Sequence, residues 1–168
     1  PISILFLLFF YIKKLKSPKK FSIPVICVGN IYLGGTGKTP LVSEIFKITK
    51  SLGKNPAFIK KQYDYLEDEI TMLKKLGKTF VSKNRIKAIE SLIESKNDLA
   101  ILDDGFQDFT ISKNLSIVCF NQKQWIGNGF IIPSGPLREK LSALKRAHCV
   151  FINGKVDTGI ENEIYKEN

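Results

Sequence analysis

The sequence predicts an α/β fold in which a mostly parallel sheet is covered by helices on both faces. Short apolar runs alternate with amphipathic stretches of helical length from residue 22 onward. One apolar run leads directly into a glycine-rich turn, and another ends in two adjacent carboxylates. With 168 residues and 43% hydrophobic content, the chain suits one such domain with a filled core.

Each apolar run of strand length predicts a strand, and each amphipathic stretch predicts a helix. We expect strands near residues 23–28, 56–60, 79–82, 98–103, 115–120 and 148–153, and helices near residues 39–52, 66–77, 84–96 and 137–147. In the first helix Leu41, Val42, Ile45 and Phe46 have the spacing of a core-facing side, and Gly53 stands where the helix should end.

An apolar run at residues 1–12 precedes the predicted sheet, and it begins with Pro1 rather than Met, so we expect the sequence to be a fragment. As a helix the run would be about 16 Å long, too short to cross a hydrocarbon core of about 30 Å unless upstream residues extend it. Basic residues follow it directly: Lys13, Lys14, Lys16, Lys19 and Lys20. This pattern is typical of a segment held at the cytoplasmic leaflet. We therefore expect a membrane-associating helix and basic segment at residues 1–20 and a separate domain at 21–168; a buried helix with a solvated loop is the alternative.

The charge balance does not predict a nucleic-acid partner. Lys and Arg outnumber Asp and Glu by 26 to 16, giving a net charge of +10, but only three of the basic residues are Arg. No RNA- or DNA-binding signature accompanies the charge.

The cysteines and the single histidine make a transition-metal site unexpected. Cys27, Cys119 and Cys149 each lie inside an apolar run, which predicts buried thiols on strands in a reducing compartment. His148 has no cysteine or histidine partner at zinc spacing.

The glycine-rich turn after the first strand has the features of a phosphate-binding loop. Residues 28–40 read Val-Gly-Asn-Ile-Tyr-Leu-Gly-Gly-Thr-Gly-Lys-Thr-Pro. Small residues let successive N–H groups surround a phosphate, Lys38 can reach its outer oxygens, and the Thr39 hydroxyl can help to hold Mg²⁺ at a helix N-terminus. Two standard spacings fail, because Tyr32 replaces the Gly of one and Leu33 the Lys of the other. A glycine-rich turn that binds nothing is the alternative, but the flanking strand and helix patterns favour the loop.

Asp103 and Asp104 end an apolar strand and resemble a Walker B element. A carboxylate at the C-terminal end of such a strand binds nucleotide-associated Mg²⁺, directly or through water. A plain Asp-Asp-Gly turn is the alternative, but two adjacent carboxylates without a cation are costly.

Two further segments admit a structural or a functional interpretation. Residues 127–139 join two Gly/Pro turns to a predicted helix that starts with Arg138 and Glu139, which could be a surface pair. Asp64, Glu67, Asp68 and Glu69 precede or open another predicted helix. Their charge suits the helix dipole, or one of them could be a general base for an acceptor hydroxyl.

Taken in order, these motifs resemble the tetraacyldisaccharide 4′-kinases, nearly end to end. The resemblance rests on residues 24–30 (Pro-Val-Ile-Cys-Val-Gly-Asn), 34–40 (Gly-Gly-Thr-Gly-Lys-Thr-Pro), 103–107 (Asp-Asp-Gly-Phe-Gln), 127–129 (Gly-Asn-Gly) and 133–139 (Pro-Ser-Gly-Pro-Leu-Arg-Glu). The family loop also lacks Gly at the position of Tyr32.

The resemblance implies a P-loop NTPase-type domain at residues 21–168 and ATP-dependent phosphorylation of the 4′-hydroxyl of a tetraacyldisaccharide 1-phosphate lipid in lipid A biosynthesis. Its implied cofactors are ATP and Mg²⁺, and its implied partner is the lipid A disaccharide precursor. It implies no obligate protein partner. The implied location is the cytoplasmic face of the bacterial inner membrane, where the protein is peripheral or anchored by the N-terminal helix.

The resemblance also assigns site residues by position. Lys38, Asp68 and Asp104 would be catalytic, with Asp68 as the base. Mg²⁺ would be held by Thr39, Asp103 and Asp104. The implied nucleotide contacts are Gly34, Gly35, Thr36, Gly37, Lys38, Thr39, Pro40, Arg138 and Glu139.

The sequence departs from the family pattern in four places. Residues 60–63 read Lys-Lys-Gln-Tyr where the family has Ser-Arg-Gly-Tyr and a longer loop, Glu67 replaces a Gly, and Asp108 stands where a His follows Phe-Gln. The resemblance also implies a C-terminal domain with a His that supports the catalytic Asp; we expect residues 1–168 to lack that domain, and we do not expect His148 to replace its His. A nucleotide-binding remnant without turnover and another P-loop ATPase are therefore alternatives. A GTPase is disfavoured, because residues 121–124 read Asn-Gln-Lys-Gln rather than Asn-Lys-x-Asp.

Overall fold

A computed structural model of the protein describes residues 17–63, 67–155 and 158–167. Its elements in chain order are β1 (Val25–Gly29), α1 (Lys38–Ser51), β2 (Pro56–Lys61), α2 (Glu67–Leu76), β3 (Thr79–Ser82), α3 (Arg85–Glu94), β4 (Leu99–Asp103), β5 (Leu115–Asn121), a 3-10 helix (Leu141–Arg146), β6 (Cys149–Asn153) and α4 (Thr158–Glu167).

The six strands form one sheet in the order β3-β2-β4-β1-β5-β6, and all neighbouring strands are parallel. Parallel strands place their C-terminal ends at one edge of a sheet, where ligands of such folds bind. Asp103 at the end of β4 is in register with Val28 of β1 on one side and with Lys60 of β2 on the other. The glycine-rich turn and the two carboxylates therefore meet at this edge.

Each face of the sheet has its own apolar core. On one face Cys27, Ile59 and Leu102 belong to a cluster that includes α3 and the 3-10 helix. On the other face Val28, Phe58 and Ile101 pack with α1 and α2. Alternate residues of one strand thus point to opposite helical layers, which confirms the predicted α/β sandwich.

The six predicted strands and the first three predicted helices are confirmed to within about three residues. The fourth predicted helix, at 137–147, is wrong: only Leu141–Arg146 are helical, as a 3-10 helix. The backbone of the preceding segment pairs instead with the glycine-rich turn, where Leu33 N–H donates to the carbonyl of Pro136 and Arg138 N–H donates to the carbonyl of Ile31. Helix α4 was not predicted.

Two of the three predicted buried thiols are confirmed. Burial raises the pKa of Cys27 to about 11 and that of Cys119 to about 12. The prediction for Cys149 is wrong, because β6 is the edge strand of the sheet and the thiol is exposed on it.

The predicted apolar helix at the N-terminus lies outside the described residues, as does Asp64. Within the described part of the chain, none of the helices combines the length and the apolar character that crossing a bilayer requires.

Candidate nucleotide-binding site

The glycine-rich turn lies between β1 and α1 at the C-terminal edge of the sheet. Gly37 immediately precedes α1 and has a φ of 82°, a left-handed conformation that favours glycine. No side chain caps this end of α1 and its first turn carries no acidic residue. The free N–H groups and the positive end of the helix dipole can therefore bind an anion.

A cleft opens over the start of α1. Its volume of about 710 Å³ is within the range of small-molecule binding sites. All seven loop residues predicted to contact the nucleotide line it, and so do Arg138 and Asp104; the loop residues are Gly34, Gly35, Thr36, Gly37, Lys38, Thr39 and Pro40. Glu139, the remaining predicted contact, does not line the cleft.

The buried side chain of Asn30 is hydrogen-bonded to the glycine-rich turn. Its side chain is fully buried and its amide nitrogen donates to the Thr36 hydroxyl at 3.1 Å and to the Gly34 carbonyl at 3.4 Å. These bonds hold the two ends of the turn together beneath the cleft. The sequence analysis did not predict Asn30 as a site residue, although a polar residue directly after a buried strand indicates such a position.

The two adjacent carboxylates face different surroundings. Asp104 has a left-handed backbone with φ 58°, and this turn directs its carboxylate into the cleft, 3.9 Å from the Lys38 ammonium. Burial raises the pKa of Asp104, but the charges of Lys38 and Arg138 outweigh that effect and hold the pKa below its ordinary value. Asp104 is therefore an anion at neutral pH.

Asp103 is 1% exposed, and the Lys60 ammonium donates to its Oδ2 atom. Lys60 also pairs with Glu69 of α2. Burial lowers the pKa of Lys60, but the charges and hydrogen bonds of Asp103 and Glu69 together outweigh burial and raise it. Lys60 is thus a cation that lines the cleft, and the sequence analysis did not predict it as a site residue.

Arg138 and Glu139 have separate partners rather than each other. Arg138 donates to both carboxylate oxygens of Asp104, at 3.0 and 3.1 Å. Glu139 is buried, is paired in a bidentate manner with Arg146, and accepts a bond from the Gln107 amide. Glu139 therefore supports the wall of the site, and its predicted nucleotide contact stays a prediction.

Arg85, the first residue of α3, is a site residue that the sequence analysis missed. It is 8% exposed, and its guanidinium donates to the backbone carbonyl of Asp104 at 2.6 Å and to the Asp108 carboxylate at 3.2 Å. Arg85 thus stabilises the left-handed turn at Asp104. The only available signal was an arginine after the N-cap residue Asn84, at the sheet edge that carries the site.

Asp68, the predicted base, lies in the first turn of α2 and is exposed. The neighbouring Glu69 lines the cleft instead. In this structure Asp68 is next to the cleft without lining it, so its catalytic role stays a prediction.

The donor set fits Mg²⁺. Such ions bind to one or two carboxylates plus phosphate oxygens and water, so no dedicated cage is needed. Across the described ranges, no group of three or more His, Cys, Asp or Glu residues could hold a metal alone. Asp104 and the half-buried Thr39 both line the cleft, and the Oδ1 atom of Asp103 is buried without a hydrogen-bond partner in the described residues. Thr39 and Asp104 therefore lie at the cleft where the ion would bind, whereas Asp103 does not line the cleft and its predicted metal contact stays a prediction.

A parallel sheet with a phosphate-type loop after β1, a carboxylate after β4 and a lysine at the start of α1 defines the class of P-loop nucleotide-binding proteins. The family model for tetraacyldisaccharide-1-P 4′-kinase matches residues 1–167. The chain therefore belongs to the tetraacyldisaccharide-1-P 4′-kinase family.

Individual relatives agree with the family. The chain is 46% identical over 162 residues to the tetraacyldisaccharide 4′-kinase of Pelagibacter ubique, covering 94% of this chain and 52% of that protein. It is 35% identical over 161 residues to the enzyme of the same name from Ruthia magnifica, covering 84% and 51%. The chain thus spans about half the length of the curated relatives that it matches.

Solved structures agree with the fold. A crystal structure of LpxK from Aquifex aeolicus in complex with ATP superposes with a TM-score of 0.76 at 27% identity, over 93% of this chain and 58% of that one. The signal recognition particle 54 kDa protein from Aeropyrum pernix in complex with GDP matches with a TM-score of 0.56 at 9% identity, over 97% and 44%. The second match shows the P-loop type of fold alone.

Proposed function

We propose that this chain is the ATP-binding part of a kinase that phosphorylates the 4′-hydroxyl of a tetraacyldisaccharide 1-phosphate lipid in lipid A biosynthesis. The observation that carries the proposal is one cleft in which the glycine-rich turn, Lys38, Asp104 and Arg138 converge. Family membership supports the substrate class.

Each residue at the cleft has a task that suits phosphoryl transfer. The N–H groups before α1 bind the phosphates, and Lys38 and Arg138 neutralise charge on the transferring group. Asp104 and Thr39 would hold Mg²⁺, which would neutralise phosphate charge, and Asp103 is the third ligand that the family resemblance implies. Asp68 accepts the proton of the acceptor hydroxyl, for which it must be oriented toward that hydroxyl.

We also propose that the protein works at the cytoplasmic face of the inner membrane. The support is the apolar run at residues 1–12 followed by five lysines. Each lysine near anionic headgroups contributes about 1 kcal/mol to membrane affinity, and Lys19 contributes less than the others because it is paired with Glu90.

The kinase proposal is tested by following phosphate transfer from γ-labelled ATP to a tetraacyldisaccharide 1-phosphate, with the complete gene product and with this chain. Lys38→Ala should abolish transfer and weaken nucleotide binding, whereas Lys47→Ala, on an exposed face of α1, should change neither. Normal turnover in Lys38→Ala would overturn the proposal. Nucleotide binding without transfer by the complete gene product would make it a binding module instead.

Membrane association is tested by vesicle flotation. Anionic vesicles should carry the protein upward and zwitterionic vesicles should carry less, and replacing the five lysines with Gln should remove the difference. Equal flotation with both vesicle types would contradict the electrostatic part of the proposal.

A further inference from the structure

Lys60 is a buried cation between two structural elements that carry different parts of the site. It is 3% exposed, near the C-terminal end of β2. Its ammonium lies 2.5 Å from the Asp103 carboxylate of β4 and 2.5 Å from the Glu69 carboxylate of α2. Strands β2 and β4 are paired with Lys60 opposite Asp103, so the first contact is fixed by the sheet register.

Within the described residues, helix α2 buries one of its own side chains in the core on this face of the sheet. That residue is Leu73, which lies about one turn beyond Glu69. The Glu69 side chain is 46% exposed, so only its carboxylate end reaches inward to Lys60. The first turn of α2 is thus held at the cleft by this ion pair, while Leu73 holds the middle of the helix.

We propose that Lys60 is a positioning residue, a bridge that fixes the first turn of α2, and with it Asp68, against the end of β4. This inference rests on the proposed function, in which Asp68 accepts the acceptor's proton. Because Glu69 follows Asp68 directly, holding the Glu69 carboxylate restricts the backbone on which Asp68 is carried. Proton transfer depends steeply on such placement, whereas the N–H groups that would bind the phosphates belong to the loop and α1 rather than to α2.

The contact between Lys60 and Glu69 can be removed by changing Glu69, which leaves Asp103 paired with Lys60. Glu69→Ala removes the α2 contact and leaves the Lys60 to Asp103 pair in place. Glu67→Ala is the matched control, since it removes the same charge from an exposed position in the same helical turn. Both variants should keep the melting temperature within about 3 °C of the parent, because exposed or half-exposed carboxylates contribute little to stability.

Two readouts separate positioning from general stability. Hydrogen–deuterium exchange of the peptide covering α2 should be about tenfold faster in Glu69→Ala, with exchange in α3 unchanged. Turnover by the complete gene product should fall about tenfold, with ATP affinity within about twofold of the parent. Glu67→Ala should match the parent in both measurements.

Introducing Glu69→Ala into a protein that already lacks the Lys60 cation completes the test. In Lys60→Met combined with Asp103→Asn, which removes the cation without leaving a buried carboxylate unpaired, α2 exchange should already be fast, and adding Glu69→Ala should accelerate it no further. Unchanged α2 exchange in Glu69→Ala, or equal acceleration by Glu67→Ala, would overturn the bridge. The exchange result stands even if the parent transfers no phosphate, so failure of the kinase proposal is recorded separately.

Discussion

The guanidinium of Arg138 holds the carboxylate of Asp104, with its Nη1 atom 3.0 and 3.1 Å from the two oxygens across 34 positions of sequence. The contact exists because the backbone around Pro136 and Arg138 pairs with the glycine-rich turn after β1. The cation and the anion that line the cleft are therefore positioned by the same loop that would bind the phosphates.

Replacing Arg138 by Gln should weaken Mg²⁺-ATP binding about tenfold. The substitution removes a cation from the cleft and a charged hydrogen bond worth about 1.5–3 kcal/mol, which frees Asp104 to rotate. Titration with a fluorescent ATP analogue measures the change. Arg138→Lys should retain part of the affinity, and Lys145→Gln, an exposed charge on the 3-10 helix, should retain all of it. Full affinity in Arg138→Gln would show that the residue does not act on the nucleotide.

Glu139→Gln should lower the free energy of unfolding by about 1–3 kcal/mol and leave ATP affinity within about twofold. Glu139 is 7% exposed, and its bidentate pair with Arg146 is its main interaction. Arg146 also stacks over the rings of Phe106 and Phe109 at 4.7 Å and would lose its counter-charge. Urea denaturation and nucleotide titration of one preparation measure both quantities. A large loss of affinity with normal stability would favour the direct nucleotide contact that the family resemblance implies.

The contribution of Asp108 to stability should disappear in acid. Burial raises the pKa of Asp108, but the Thr110 hydroxyl and the Arg85 charge outweigh it and lower the pKa below its ordinary value. A carboxyl with a lowered folded pKa adds stability above the unfolded pKa of about 3.9 and loses it as pH falls through the folded value. We expect Asp108→Asn to be less stable than the parent by about 1–3 kcal/mol at pH 7, with the difference shrinking below pH 4. Urea titrations at pH 7, 4 and 3 measure it, and a constant difference would refute the assignment.

The local sequence pattern was sufficient to predict the strands of the sheet and the phosphate loop. Strand β4 is a short apolar run that ends in Asp103, and its burial on both faces is what an uninterrupted apolar run predicts. The loop is equally local, because Gly34 to Lys38 are contiguous and only need a strand before them and a helix after them.

The parts of the site that were missed depend on contacts between distant segments. Arg85 reaches Asp104 across 19 positions and Lys60 reaches Asp103 across 43, and no local pattern records such a pairing. The helix predicted from residue 137 failed for the same reason: Arg138 has the sequence of a helix start, but its N–H bonds to Ile31 and its side chain to Asp104. Tertiary pairing outweighed local propensity there.

Gly29→Ala should destabilise the protein by about 1–3 kcal/mol and also weaken ATP binding. An added Cβ on Gly29 would lie 2.5 Å from the Cβ of Phe106 and 3.0 Å from its backbone nitrogen, so the clash involves rigid atoms rather than a flexible side-chain end. Because Phe106 follows Asp104 by two residues in a buried loop, relieving the clash moves the carboxylate that faces Lys38. Gly35→Ala is the matched control for stability, since its Cβ would meet nothing within 4 Å. Urea denaturation and nucleotide titration measure the two effects, and equal stability of the two alanine variants would contradict the close packing of β1 against this loop.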